Sequence, residues 1–133
     1  MGRRTAVAVA MLASMGAGSL AVQILHAQAK PPVYFIGEID VTNPDGYAKE
    51  YLPKAREIIK AHGGRLIAAG GAAGTGAKVV GIDGEPPKRV VIYAYDSMDA
   101  VHAWRDDPQY QQARKIGERY ATYHTFAVEG LPQ

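Results

Sequence analysis

The sequence contains no cysteine, and this absence removes several kinds of chemistry. Disulfide bonds, thiolate nucleophiles, cysteine-ligated metal sites and a cysteine-linked lipid anchor are all excluded. An excess of one charge is also missing, because 15 Lys and Arg accompany 13 Asp and Glu. Arg3 and Arg4 account for the difference, so the rest of the chain is neutral. A neutral domain lacks the basic surface that nucleic-acid binding requires, and no nucleic-acid partner is predicted.

The N-terminal 29 residues have the three parts of a secretory signal peptide. The Arg3-Arg4 pair is followed by an uncharged apolar run over residues 6–22, and then by Ala27-Gln28-Ala29. Small residues in this pattern are what signal peptidase requires, so we predict cleavage after Ala29. The mature protein then comprises residues 30–133 as one domain, periplasmic or secreted, with no membrane attachment after cleavage.

Two alternatives remain open for this N-terminal segment. An uncleaved membrane anchor is one, although the apolar run is at the short end of what spans a bilayer. The arginine pair also leaves the general and the twin-arginine export routes both open.

The mature chain alternates between strand and helix patterns. Alternation of side chains predicts strands over Val33–Val41 and Arg89–Tyr95, with shorter ones at residues 65–69, 78–82 and 122–128. The brief strand at 78–82 would lead into a hairpin turn at Asp83-Gly84.

Helix signals lie between the strands. Asn43 caps a helix that is interrupted at Pro53 and ends at Gly63-Gly64. Ser97 caps a second helix, which breaks at Asp107-Pro108 and restarts. The resulting order, β-α-β-β-α-β, predicts an α+β fold of the ferredoxin-like type, with both helical segments on one face of an antiparallel sheet.

The face of the sheet that the helices leave open suggests a partner. Strand alternation predicts that this face is aromatic and partly polar, carrying Tyr34, Ile36, Glu38, Arg89, Val91, Tyr93, Tyr95, Tyr123 and Thr125. Such a face is too apolar to leave in water and too polar for a plain second core. We expect a homodimer that packs two sheets together around a partly polar cavity. A monomer with a half-solvated sheet is the alternative.

An ordered set of short motifs resembles a known family. The motifs are Tyr47 with Tyr51, His62-Gly63-Gly64, Gly70-Gly71, Asp83-Gly84, Pro87, Arg89, Ser97-Met98-Asp99-Ala100, Trp104, Asp107-Pro108-Gln109-Tyr110 and Val128-Glu129-Gly130. Together they are similar to the domain-of-unknown-function 1330 family over nearly all of residues 34–130. The resemblance implies a dimeric α+β barrel. That wider superfamily includes cofactor-independent monooxygenases, haem-degrading enzymes and small isomerases or lyases, whereas the family itself brings no established reaction.

The candidate site residues are those expected to line the sheet cavity or its rim. They are Tyr34, Glu38, His62, Arg89, Tyr93, Trp104, Tyr110 and Tyr123. Glu38 and Arg89 are expected on one face, either as an anion-binding pair or as a structural ion pair. Trp104 and Tyr110 either wall a pocket or pack in the core. His62 either caps a helix or serves as a pocket acid or base.

Metal and phosphate sites receive little support from the sequence. His62, His102 and His124 have no ligand spacing, so neither a metal site nor a cofactor is predicted. The glycine-rich loop at residues 70–78 fails the phosphate-loop pattern, because Ala77 precedes Lys78 and a strand-like segment follows. We interpret this loop as a rim over the cavity.

Three functions are compatible with these features. The first is a small-molecule enzyme that uses the cavity without a bound metal. The second is a periplasmic module that binds or senses a small ligand without turnover. The third is a structural dimer with no ligand. An ionisable group with a perturbed pKa in the cavity would favour the first, and a cavity filled by side chains would favour the third.

Overall fold

The computed structural model describes residues 30–73 and 76–133. The predicted signal peptide, its cleavage site after Ala29 and part of the glycine-rich loop, Gly74 and Thr75, therefore lie outside the described residues. Within the described part of the chain, no helix is both long enough and apolar enough to cross a membrane.

Four antiparallel strands form a single sheet in the order β2-β3-β1-β4. The strands are β1 (Val33–Val41), β2 (Arg65–Gly71), β3 (Arg89–Tyr95) and β4 (Ala121–Glu129). β1 and β3 lie in the centre of the sheet. Their predicted bounds are confirmed, while β2 and β4 are slightly longer than predicted.

The short strand predicted over residues 78–82 is wrong. These residues have no regular structure, so Asp83-Gly84 forms a bend rather than a hairpin turn. The physical reason is that β3 pairs with β2 on one side and with β1 on the other, which leaves no free edge beside it. One backbone hydrogen bond, from Gly71 N–H to the Ala77 carbonyl, holds the start of this segment against β2.

The helices follow the predicted order, and β-α-β-β-α-β is confirmed. The first helical segment runs through α1 (Pro44–Gly46), a π-helical turn (Tyr47–Tyr51) and α2 (Leu52–Ala61). The second comprises α3 (Met98–Asp106) and α4 (Pro108–Gly117). The chain therefore has the α+β fold that the sequence predicted.

Side-chain caps and prolines explain where the helices begin and break. Asn43 Oδ1 accepts from Gly46 N–H, and Ser97 Oγ accepts from Ala100 N–H, as both caps were predicted to do. Pro53 has no N–H to donate, and the turn before it widens, so that Leu52 N–H donates to the Tyr47 carbonyl five residues earlier. The predicted interruption at Pro53 is thus a π turn.

The two faces of the sheet differ from the prediction for β3 and β4. In the observed register Phe35 pairs with Tyr93, and Ile39 pairs with both Arg89 and Tyr123. Directly paired residues share a face. All the β3 and β4 residues predicted for the open face therefore lie under the helices, and of the predicted set only Tyr34, Ile36 and Glu38 lie on the open face.

The main core lies between the helices and the sheet. Its largest fully buried side chains are aromatic: Tyr47, Tyr95, Trp104 and Tyr110. Trp104 contacts Phe35 edge-on at 4.8 Å between ring centroids and contacts Tyr110 at 4.6 Å. The open face instead presents Ile36, Phe126 and Val128, with the last two about half exposed.

Candidate ligand pocket between the helices and the sheet

A cavity of about 30 Å³ lies under the helices, against the centre of the sheet. This volume accommodates a water molecule or a group of similar size. Its apolar walls include Phe35, Ile39, Leu52 and Val91. Its polar lining comes from tyrosines, arginines, Trp104 and Thr125. The polar lining distinguishes this cavity from an ordinary packing defect, which is apolar.

Two glycines shape the space. Gly37 lies mid-strand in β1, where a Cβ atom would meet Val91 Cγ2 at 3.0 Å, so its missing side chain leaves room at the sheet. Gly117 in α4 allows close packing, since a Cβ there would lie 2.2 Å from the Tyr123 hydroxyl and 2.7 Å from the Tyr51 ring. Gly37 thus forms the floor of the cavity, and Gly117 allows α4 to pack closely against Tyr123 and Tyr51.

Tyr51 and Tyr110 form a buried hydroxyl pair in this lining. Their Oη atoms are 2.7 Å apart, which is a hydrogen bond in which either group donates. Tyr51 comes from the π turn and Tyr110 from the first turns of α4. Burial raises the pKa of the Tyr51 phenol well above its usual range, so that this hydroxyl is neutral at pH 7.

The neighbouring tyrosines are neutral for the same reason. Burial raises the pKa of Tyr47 to about 12, and it also raises the pKa values of Tyr93 and Tyr123. A neutral phenol can donate a hydrogen bond to a ligand oxygen. The tyrosines therefore act as hydrogen-bonding groups in this pocket, not as negative charges.

Arg89 is the only charged residue that is fully buried in the described part of the chain, at 2% exposure. Its Nη1 donates to the Ala72 carbonyl at 3.3 Å, and its guanidinium lies 5.7 Å from the centroid of the Tyr47 ring. Its Nε has no hydrogen-bond partner among the described residues. Burying a charge without a counterion costs several kcal/mol of folding free energy, so a functional role for Arg89 would explain why this arrangement is present.

A second arginine and an indole bring further donors to the pocket. The guanidinium of Arg114 stacks on the Tyr123 ring at 3.5 Å from its centroid, a close cation–π contact. Its Nε lies 3.4 Å from a carboxylate oxygen of Glu118. Within the described residues, Trp104 Nε1 and the Tyr123 hydroxyl are buried without a hydrogen-bond partner. Polar groups buried in this way are uncommon in folded proteins.

The structure brings together five of the eight predicted site residues. Arg89, Tyr93, Trp104, Tyr110 and Tyr123 line the cavity under the helices. The cavity predicted from the sequence is a different one, because it lies between the open sheet faces of two subunits. Trp104 and Tyr110 are both core residues and pocket residues, so the two interpretations offered for them coincide.

Tyr34 and Glu38 lie on the other face of the sheet. The expectation that Glu38 shares a face with Arg89 is wrong, because Glu38 pairs with Val90 and Arg89 pairs with Ile39. Glu38 Oε2 instead lies 2.8 Å from His124 Nδ1 on the open face.

His62 lies at the C-terminal cap of α2 rather than in the cavity lining. Its Nε2 is 2.8 Å from Asp107 Oδ2, while Asp107 Oδ1 accepts from Gln109 N–H at the start of α4. The hydrogen bond with His62 lowers the pKa of Asp107 below its usual value. This pair joins the end of α2 to the start of α4.

Sequence reasoning left Tyr51, Tyr47 and Arg114 out of the site. The signal that would have found them is helical spacing: Arg114 follows Tyr110 by one turn of α4, and Tyr47 and Tyr51 share one stripe. No cluster of three or more potential metal-ligating His, Asp or Glu side chains occurs in residues 30–73 and 76–133.

Comparisons with known proteins agree with this architecture. The family model described as "Domain of unknown function (DUF1330)" matches residues 32–131. No curated protein sequence matches the chain.

Two solved structures show the same fold. One is the RPA0582 protein of unknown function from Rhodopseudomonas palustris, with a TM-score of 0.58 at 16% identity, covering 85% of this chain and 92% of its own. The other is SnoaB, a cofactor-independent oxygenase from Streptomyces nogalater, with a TM-score of 0.54 at 11% identity, covering 77% and 96%. The subunit fold is that of the dimeric α+β barrel proteins.

Proposed function

The chain belongs to the DUF1330 family, a domain of unknown function, and we propose that it is a small-molecule enzyme that uses the cavity under its helices without a bound cofactor. The observation that carries this proposal is the set of buried donors without partners around the cavity: Arg89 Nε, Trp104 Nε1 and the Tyr123 hydroxyl. Each such group costs about 1–3 kcal/mol when it is left unsatisfied. A ligand with acceptor atoms would satisfy them.

The Tyr51–Tyr110 pair is the proposed chemical centre of the pocket. Because burial raises the pKa of Tyr51, its hydroxyl keeps its proton and can donate to an oxygen on which negative charge develops. The partner hydroxyl at 2.7 Å fixes the orientation of that donor. Preorganised donors in a water-poor site are a large source of rate acceleration in enzymes.

The fold supports a reaction that needs side chains alone. SnoaB, which shares the fold, is a cofactor-independent oxygenase. At 11% identity the likeness concerns architecture, and the choice of reaction for this chain depends on its own pocket.

A binding or sensing module without turnover is the second candidate, and one observation favours it. The lining of the cavity includes no carboxylate, histidine or lysine among the described residues, so it lacks a side chain that accepts a proton near pH 7. Such a pocket can bind and polarise a ligand, whereas a proton-abstracting step would need a base from elsewhere. A structural dimer, the third possibility, would leave the unsatisfied donors of the cavity unexplained.

We also propose that the protein acts as a homodimer whose open sheet faces pack together. The support is apolar surface on that face: Phe126 is 44% exposed and Val128 is 51% exposed, beside Ile36 and Ile92. Residues of this kind are usually covered. The fold shared with dimeric barrel proteins supports the same arrangement.

Export is proposed from the N-terminal sequence alone. The Arg3-Arg4 pair, the uncharged run and Ala27-Gln28-Ala29 support cleavage after Ala29 and a periplasmic or secreted domain. The absence of cysteine is compatible with either side of the membrane.

Turnover by purified protein tests the proposal against its alternatives. The protein, purified from cells that produce it, is incubated with a small-molecule extract of those cells, and every compound is followed by mass spectrometry. An enzyme consumes one compound beyond one equivalent per chain, whereas a binding module stops at one equivalent. Tyr51→Phe with Tyr110→Phe should abolish consumption, and Tyr34→Phe, which removes a hydroxyl on the other face, should not. No change in any compound would contradict both ligand-based functions.

A further inference from the structure

We infer that the ligand of the pocket is an organic anion, a small monocarboxylate with an apolar body, and that it binds against Arg89. This inference rests on the proposed function, since it names the chemical class of ligand for that same pocket. It begins from a charge imbalance: a fully buried guanidinium that faces no negative group.

The missing counterion is not hidden in the undescribed residues. All 13 Asp and Glu residues lie in the described part of the chain, because residues 1–29 and 74–75 contain none. The carboxylates that form ion pairs do so elsewhere, with Lys49, His62, Arg65, Lys88, Arg114 and His124. None of the described carboxylates pairs with Arg89.

A partner subunit does not supply the counterion either. Arg89 is already 2% exposed in the single chain, and its side chain lies on the helix-covered face of the sheet. A second copy that packs on the open face would be separated from it by the sheet itself. The negative charge that complements Arg89 therefore has to enter the cavity with a ligand.

The other charged groups of the lining have the same sign. Arg56 and Arg114 join Arg89 around the cavity, and no acidic side chain of the described residues lines it, although Glu118 outside the lining pairs with Arg114. Arg89 Nε and Trp104 Nε1 offer N–H groups without partners, and Tyr51 offers a phenol that burial keeps protonated. Arginine binds carboxylates through charge-assisted hydrogen bonds, which are about twice as strong as neutral ones.

The size and the walls of the cavity further restrict which ligands can bind. A space of about 30 Å³ matches a small head group and is far smaller than the roughly 150 Å³ that encloses a benzene ring. The head group is therefore enclosed, and the rest of the ligand displaces side chains or extends towards the opening. The adjoining walls, Phe35, Leu52 and Val91, are apolar and suit an apolar body.

Paired acids and amides test the inference. Acetate, benzoate and phenylacetate are compared with acetamide, benzamide and phenylacetamide by calorimetric titration of the full mature protein. At least one acid should bind roughly tenfold or more tightly than its amide, because only the acid neutralises Arg89. Arg89→Met should remove this preference, and Arg65→Gln, which removes an exposed arginine on β2, should keep it. Arg89→Gln also removes the charge but keeps a polar side chain, and it serves if the Met variant does not fold.

The outcomes separate this inference from the proposed function. Equal binding of an acid and its amide, or an acid preference that survives when Arg89→Met or Arg89→Gln removes the charge, would overturn the anion assignment and leave the small-molecule pocket in place. Failure of every acid and every amide to bind would overturn the anion assignment as well. The extract experiment would then decide separately whether the pocket has any ligand.

Discussion

Arg89 and Glu38 lie on adjacent strands of the sheet, and their side chains point to opposite faces. Arg89 pairs with Ile39 under the helices, whereas Glu38 pairs with Val90 on the open face. Glu38 has its own partner there, His124 Nδ1 at 2.8 Å. The sheet therefore separates a pocket lined by arginine side chains from an open face that carries Glu38. Pocket and open face can accordingly be tested by independent substitutions.

The hydroxyl pair of Tyr51 and Tyr110 should show strong energetic coupling. Removing one hydroxyl by substitution with Phe leaves the other buried without its partner, which should lower the free energy of unfolding by about 1–3 kcal/mol. Removing both should cost less than the two single changes added together. Urea unfolding of the four proteins in a double-mutant cycle measures this coupling. Simple additivity would mean that the 2.7 Å contact contributes nothing to stability.

Gly37→Ala should reduce ligand binding while leaving the fold stable. Its new methyl group enters the floor of the cavity, and Val91 needs to move by only a few tenths of an ångström. Alanine is favoured over glycine in a strand, so the free energy of unfolding should change by less than about 1 kcal/mol. Titration with the acid that binds best, together with urea unfolding, measures both quantities.

Gly63→Ala provides the matched comparison for that substitution. Gly63 has a φ angle of +83° after the end of α2, and nothing lies near its missing Cβ. Alanine should strain the backbone and lower the free energy of unfolding by about 1 kcal/mol, without an effect on binding. Equal effects of the two substitutions on binding would argue against a ligand at Gly37.

The open face should control the oligomeric state. Phe126→Glu places a charge among Ile36, Ile92 and Val128, so burial of that face in a dimer would become unfavourable. We expect the dimer dissociation constant to rise by roughly a hundredfold or more. Sedimentation measures this change, and Ile82→Glu, at an 88% exposed site between β2 and β3, is the control. A dimer that tolerates Phe126→Glu would place the interface elsewhere.

Asp107 should contribute to stability in a defined pH range. Its pKa is lowered in the folded protein by the hydrogen bond with His62, so the unfolded chain takes up the proton first as the pH falls. The contribution is complete above the unfolded pKa of about 4 and disappears as the pH falls through the lower folded value. Asp107→Asn keeps a side chain able to cap α4 and should abolish this acid dependence.

Thermal unfolding from pH 7 to pH 2 measures the difference between the two proteins. The melting temperatures of the two proteins, plotted against pH, should converge at the acid end of that range. If the melting temperatures of Asp107→Asn and of the natural sequence differ by the same amount at every pH, the carboxylate charge does not contribute to the acid dependence of stability.

Local signals in the sequence were sufficient for the four strands and the helices of this fold, but they also predicted a strand over residues 78–82 that does not form. The side chains of Asn43 and Ser97 mark helix starts that are seen in the structure, and Pro53 marks the π turn. The orientation of β3 is not determined by such local signals. Both of its faces are apolar, with Val90 and Ile92 on one and Val91 and Tyr93 on the other, so alternation alone does not tell which face the helices cover.

The pocket depends on this pairing register, and for that reason it was only partly predictable. With Arg89 assigned to the open face, Glu38 becomes its expected partner, and a buried Arg89 without a counterion is not predicted. Arg114 carried a usable signal, since it lies one helical turn after Tyr110, but its contact with Tyr123 joins distant parts of the chain. Such contacts depend on tertiary packing, which cannot be predicted from a single sequence by local patterns.

Nuclear magnetic resonance of the arginine side chains tests most directly whether an anion binds at Arg89. The Nε–H signal of Arg89, assigned by its loss in Arg89→Lys, is followed while benzoate is added to the protein. We predict that this signal shifts and saturates with the dissociation constant found by calorimetry, while the signal of exposed Arg65 stays in place. Saturable binding of benzoate that leaves the Arg89 signal unmoved, or equal shifts at Arg65, would contradict the account.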